Sequence, residues 1–178
     1  NWNLAGLVSV GRGGTVDNTT SSGGVKQAAG GTLVAGILTS SGNIAGLASL
    51  KGIANQIGAI TNLTANGGLT AVDNMGLTLA KTVSGSTGTV DITVLNGGIT
   101  QASTGVLIAG TLTSAGGLAG TTALLGGANQ ISSIGTIAVG SGNLTLNDSI
   151  NLAINANGKL RAHQITVTDA GKAISLAT

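Results

Sequence analysis

Proline, cysteine, phenylalanine and tyrosine are absent from this 178-residue chain, glutamate does not occur, and tryptophan, methionine and histidine occur once each. No cysteine means no disulfide framework and no thiolate metal site. No proline, and no Gly-X-Y period in the 32 glycines, excludes collagen. Charged residues make up only 7% of the chain against 42% hydrophobic ones, the reverse of a disordered composition. The net charge of +2 rests on seven basic residues, too few for a nucleic-acid partner. Mean hydropathy is positive, yet apolar runs such as "LVAGIL" (33–38) stop far short of the ~18 residues of a membrane span. No signal peptide precedes Asn1, so any export signal has been removed or was never part of this chain.

What the chain does contain is a repeat. Residues 14–57 align with 88–131 without a gap, and 25 of the 44 positions are identical. The match opens on "GTVD" at 14 and 88 and closes on "ANQI" at 54 and 128. After a one-residue shift, "LTAVDNMGLTL" (69–79) pairs with "LTLNDSINLAI" (144–154). The chain reads as a single domain over 1–178, with copies at about 14–87 and 88–162 and a partial third unit at 163–178.

Within the unit the apolar period is two, as in strands. Ile150, Leu152 and Ile154 alternate with Asn151 and Ala153, and Ile165 and Val167 follow fifteen residues later. Leu77 and Leu79 stand in the same relation to Ile92 and Val94. Glycine and Asn/Asp/Ser clusters such as "SGN", "ANGG" and "TDAG" supply turns between strands. The one helical candidate, "IAGLASLKGIANQI", is weakened by glycines that each cost a helix roughly 1 kcal/mol. Short strands, small residues and a close duplication point to an all-β solenoid, in which successive coils occupy equivalent surroundings. A sandwich or closed barrel is the structural alternative and gives no reason for a gapless repeat. The 74-residue unit divides into about four coils of roughly 16–20 residues, which gives nine or ten coils in all, in a rod about 45 Å long.

The phrases "GGITQASTGVLIAGTLTSAGG", "LLGGANQISSIGTIAV" and "LTLNDSINLAI" resemble the shaft repeats of filamentous haemagglutinin-like exoproteins, bacterial surface adhesins exported by two-partner secretion. The resemblance implies a right-handed parallel β-helix, export across an outer membrane, and an extended adhesive fibre at the cell surface. It implies no enzyme, no cofactor and no metal, and carries over no functional residue. The export domain at the start of such proteins is missing here, which leaves shaft, either excised from something longer or used as a unit in its own right.

Side chains that carry chemistry are few. Five aspartates are the only acids: Asp17, Asp73, Asp91, Asp148 and Asp169. Asp73 and Asp91 lie 18 residues apart, which on the expected coil length stacks them on neighbouring rungs, where a carboxylate pair can cleave a glycan or hold calcium. The duplication favours a plainer reading: Asp17 matches Asp91 and Asp73 matches Asp148, as turn or solvated strand-end residues would. Lys159, Arg161 and His163 share one side of an extended segment, a basic stripe suited to an acidic polysaccharide or to nothing more than a solvated edge. The Thr111/Thr113 and Thr166/Thr168 pairs do not recur once per coil, as an ice-binding face requires. The sequons at Asn18 and Asn62 are expected by chance in a chain rich in Asn and Thr. Trp2 covers the first coil or docks on a neighbour. Without a capping helix or charged cap at either end, the expected partners are further coils: other copies stacked end to end, or the rest of a longer shaft.

Overall fold

The computed structural model describes residues 1–176; the last two residues of the third sequence unit lie outside them. Among the described residues every regular element is a strand and every ladder is parallel, wound as a β-solenoid of about eight turns. One sheet runs through Trp2–Leu4, Val25–Gln27, Ala48–Leu50, Leu69–Asp73, Thr89–Val94, Val106–Leu118, Gln130–Val139, Leu152–Ile154 and Ile174–Leu176. The facing sheet runs through Leu7–Asp17, Thr32–Thr39, Gln56–Ile60, Leu77–Leu79, Ile99–Gln101, Thr122–Leu124, Asn143–Asp148 and Gln164–Asp169. At the strand spacing of about 4.8 Å the rod is about 40 Å long.

The coils are longer than that division of the repeat predicts. Residues paired on adjacent rungs differ by between 19 positions, Ala59 with Thr78, and 25 positions, Val8 with Leu33, centred on about 22. The fifteen-residue spacing misleads because its two ends lie on different walls. Leu77–Leu79 belongs to one sheet and Thr89–Val94 to the other, and Leu152–Ile154 and Gln164–Asp169 are divided the same way. About four coils per unit, and nine or ten in the chain, are therefore corrected to about three and a half and about eight.

The half coil has a structural consequence. Several strands separated by 74 positions change sheets. Val25–Gln27 is in the first sheet and its counterpart Ile99–Gln101 in the second; Ala48–Leu50 and Thr122–Leu124 are exchanged likewise. Thr89 to Asp91 pair within the first sheet, and their counterparts Thr15 to Asp17 within the second. The duplicated sequence thus maps onto itself by half a turn combined with a climb along the axis.

The alternating pattern fills the interior with columns. Trp2, Val25, Ala48, Leu69, Val90, Leu112, Ile134, Ile154 and Leu176 are successive register partners in the first sheet. From Val25 to Ile134 each is buried, whereas Trp2 and Leu176 at the two ends are 42% and 73% exposed. In the second sheet Val16, Leu38, Ile60 and Leu79 form an equivalent buried column. Each buried Leu, Ile or Val contributes about 1.5–3 kcal/mol. With the interior this regular, a buried polar side chain stands out, and twelve are buried among the described residues.

Candidate functional site

Gln27 and Gln101 interrupt the apolar columns at matching positions, Gln27 stacking on Leu4 and Gln101 on Leu79. Each forms a closed amide pair with a buried asparagine 28 residues later. Gln27 Nε2 donates to Asn55 Oδ1 (2.7 Å) and Asn55 Nδ2 donates back to Gln27 Oε1 (3.0 Å). Gln101 and Asn129 repeat both bonds at 2.7 and 3.0 Å. The asparagine also reaches the rungs on either side. Asn55 Oδ1 accepts the Leu33 amide (2.8 Å) and its Nδ2 donates to the Val72 carbonyl (3.0 Å). Asn129 does the same with Leu107 (2.8 Å) and Asn147 (2.9 Å). The glutamine Oε1 takes one further amide, from Gly52 (2.7 Å) or Gly126 (2.8 Å). Each corner is a polar staple through three successive rungs in which every side-chain amide nitrogen and oxygen has at least one partner, the condition under which buried polar groups are tolerated.

An aspartate completes each staple. Asp73 Oδ1 accepts the Ile57 amide (2.8 Å) and its Oδ2 the Met75 amide (3.2 Å). Asp148 Oδ1 accepts the Ile131 amide (3.0 Å). Both are buried, at 0% and 2% exposure, so the expectation of solvated strand ends is corrected for this pair. They belong inside because the amides at the corner need an acceptor. Asp17 and Asp91 do sit toward solvent, where each accepts an amide of the next rung, Ser41 and Ala115, at 2.9 Å. The bonds from Ser41 hold the Asp17 carboxyl below its usual range.

Burial acts oppositely on Asp73, whose pKa desolvation pushes up to about 6 in spite of the amides of Ile57, Met75 and Asn74. A carboxyl raised above its unfolded value of 3.8 binds its proton more tightly when folded. Its contribution is therefore complete below about pH 4 and is lost as pH rises through 6. We expect the unfolding free energy to fall by about 1–2 kcal/mol between pH 4.5 and 8, after allowance for screening, and the slope to shrink in Asp73→Asn. Guanidinium titrations at stepped pH measure this; a slope unchanged in the variant contradicts it. Asp148, raised by burial and by the neighbouring Asp169 charge, supplies the remaining slope.

Other candidates from the sequence are not brought together. Asp73 lies opposite Val94, and Asp91 opposite Thr70 and Thr113, so the two carboxylates do not stack. The 18-residue separation fits the expected coil but not the real one. Lys159, Arg161 and His163 are all exposed, with Leu160 and Ala162 between them packed on the core. Thr111 and Thr113 are engaged between rungs, Thr111 with Ser133 Oγ (2.9 Å) and Thr113 donating to the Thr136 carbonyl (2.7 Å). Among the described residues no three acidic or imidazole groups gather as metal ligands.

Two features escaped the sequence reading. Asp148 and Asp169 are register partners on adjacent rungs. Asn18 is buried at 1% exposure with neither end of its carboxamide hydrogen-bonded among the described residues. Its burial also takes the first sequon out of reach. The counterpart of Asn18 in the second copy is Ile92, buried at 1%. Asn18→Ile is expected to stabilise the fold by about 1–3 kcal/mol, because it removes an uncompensated buried amide. A denaturant midpoint at or below that of the parent would count against it.

Compared with family models, with curated proteins and with solved structures, the chain finds no match.

Proposed function

We propose that this chain is a length of non-enzymatic, extracellular β-solenoid rod, whether the shaft of a bacterial adhesin or a subunit of a self-assembling surface fibre. The observation that carries the reading is what the two copies hold in common. Gln27, Asn55 and Asp73 recur as Gln101, Asn129 and Asp148, and all six tie one rung to the next from inside the wall. A duplicated unit that keeps these three inward polar residues, besides outward ones such as Thr15/Thr89 and Asp17/Asp91, suits continuity along an axis. The resemblance of "ITQ", "AGTLTS" and "GANQI" to haemagglutinin-type shafts supports the same reading, and with it secretion to the cell surface.

Such a rod is extended by further coils, from its own chain or from another copy, through the backbone edge of a terminal rung. A contact of that kind does not close on itself and generates a filament. Electron microscopy of the purified chain tests the proposal. Long filaments of uniform width support a self-assembling fibre, and single rods of about 40 Å support a shaft segment.

The competing reading is a glycan-binding or glycan-cleaving β-helix, which the exposed Lys159, Arg161 and His163 favour over any other group. Retention on an acidic polysaccharide column, lost in a Lys159→Ala/Arg161→Ala variant, would support glycan binding. Depolymerisation of a polysaccharide by the purified chain would overturn the mechanical reading.

A further inference from the structure

Asp148 and Asp169 face each other across one rung spacing, in the pairing of Asn143–Asp148 with Gln164–Asp169. Asp148 is 2% exposed, and its Oδ2 has no hydrogen-bond partner among the described residues. Both carboxylate oxygens of Asp169 are likewise buried without a partner. Three carboxylate oxygens, belonging to two acids in register, are thus withdrawn from water with nothing donating to them. The first copy provides the contrast. There the equivalent Asp73 has an amide on each oxygen, and its rung neighbour is Val94. The second copy keeps the Ile131 amide on Oδ1, has the Ser149 and Ile150 amides nearby without one reaching Oδ2 at hydrogen-bond distance, and sets an acid in the place of the valine.

Buried acceptors of this kind demand a compensating group. A single shared proton supplies one donor to one acceptor and leaves the third oxygen unsatisfied. A hard cation can take all three, and carboxylates with water and main-chain carbonyls are the ligands that calcium-sized ions prefer. We propose that Asp148 and Asp169 form the acidic part of a cation site for a calcium-class divalent ion, seated between two rungs of the second repeat. With only two carboxylates the site belongs with the weak extracellular class, at Kd about 10⁻⁴–10⁻³ M. Occupied, it locks the rung of Gln164–Asp169 onto the one below.

The test uses the intact chain at pH 7.5 with CaCl2 as the probe. In 10 mM CaCl2 the parent is expected to melt about 3–8 °C higher than in EDTA, and calorimetric titration is expected to show binding at near-unit stoichiometry. Asp169→Asn should lose both responses while melting in EDTA no lower than the parent, since the substitution also removes the repulsion. Asp148→Asn, which keeps an Oδ1 acceptor for the Ile131 amide, provides the same comparison should the first variant fold poorly. No calcium response in the parent overturns the proposal, as does an equal response in parent and variants, which places the ion elsewhere. A melting point indifferent to calcium that falls from pH 5 to 8 more steeply in the parent than in Asp169→Asn, which retains the slope due to Asp73, also overturns it, in favour of a shared proton.

Discussion

Asn129→Ala is expected to lower the unfolding free energy by about 3–5 kcal/mol. The side chain makes five hydrogen bonds at once: two with Gln101, one from the Leu107 amide, one to the Asn147 carbonyl and a longer one, 3.5 Å, to the Leu124 carbonyl. Alanine leaves those groups inside a dry corner, and each buried group left without a partner costs roughly 1–3 kcal/mol. Asn129→Asp is no remedy, because it turns a second oxygen toward the Gln101 and Asn147 oxygens and adds a buried charge. Asn55→Ala should cost a similar amount, since its four bonds match the four shorter ones of Asn129 in partner type and length. A double-mutant cycle separates the two levels of the argument. Gln101→Ala with Asn129→Ala should fall well short of additivity, as both remove one amide pair, whereas Asn55→Ala with Asn129→Ala should be additive within about 0.5 kcal/mol. Guanidinium midpoints provide the readout. A loss below about 1 kcal/mol at Asn129 would mean that water replaces the staple.

The second large effect is expected at Gly98. A Cβ built there would lie inside the carbonyl group of Thr121 on the next rung. Its counterpart Gly24 abuts the Leu47 carbonyl in the same way. The obstacle is backbone, so no rotamer change relieves it and the two rungs must part. Gly98→Ala is therefore expected to cost about 3 kcal/mol, the upper end for overpacking, despite the small entropic gain that alanine brings elsewhere. Gly127, with nothing within 4 Å of an added Cβ, is the control, and its alanine variant should stay within about 0.5 kcal/mol of the parent. Equal midpoints for the two variants would show that the coil has more slack than its ladder implies.

The fold class was legible because strand alternation survives in single residues such as Leu152 and Ile154, and because a gapless duplication is hard to place on any other β architecture. The coil length was not. Apolar alternation records which way a side chain points but not which wall bears it, so residues fifteen apart on opposite sheets read as neighbours on one. Everything that depends on register was hidden with it. A coil of 16–20 residues pairs Asp73 with Asp91, and gives Asp148 a partner between 164 and 168, one step short of Asp169. The staples were half visible: the Gln of "ITQ" and the Asn of "GANQI" recur in both copies, yet only the rung pairing brings Gln101 to Asn129. Asn18 left no trace, since a buried amide and a turn residue share one letter.

The half coil left over in each unit also bears on how such a rod meets the outside world. A run of these units would carry any surface patch alternately on its two flanks, about 17 Å further along at each step, and would return to the same flank only after about 34 Å. A flat surface pressed against one side would meet every second unit. Two surfaces held on opposite sides would meet interleaved, equivalent sets. A rod built this way is bifacial by construction, without separate sequences for left and right.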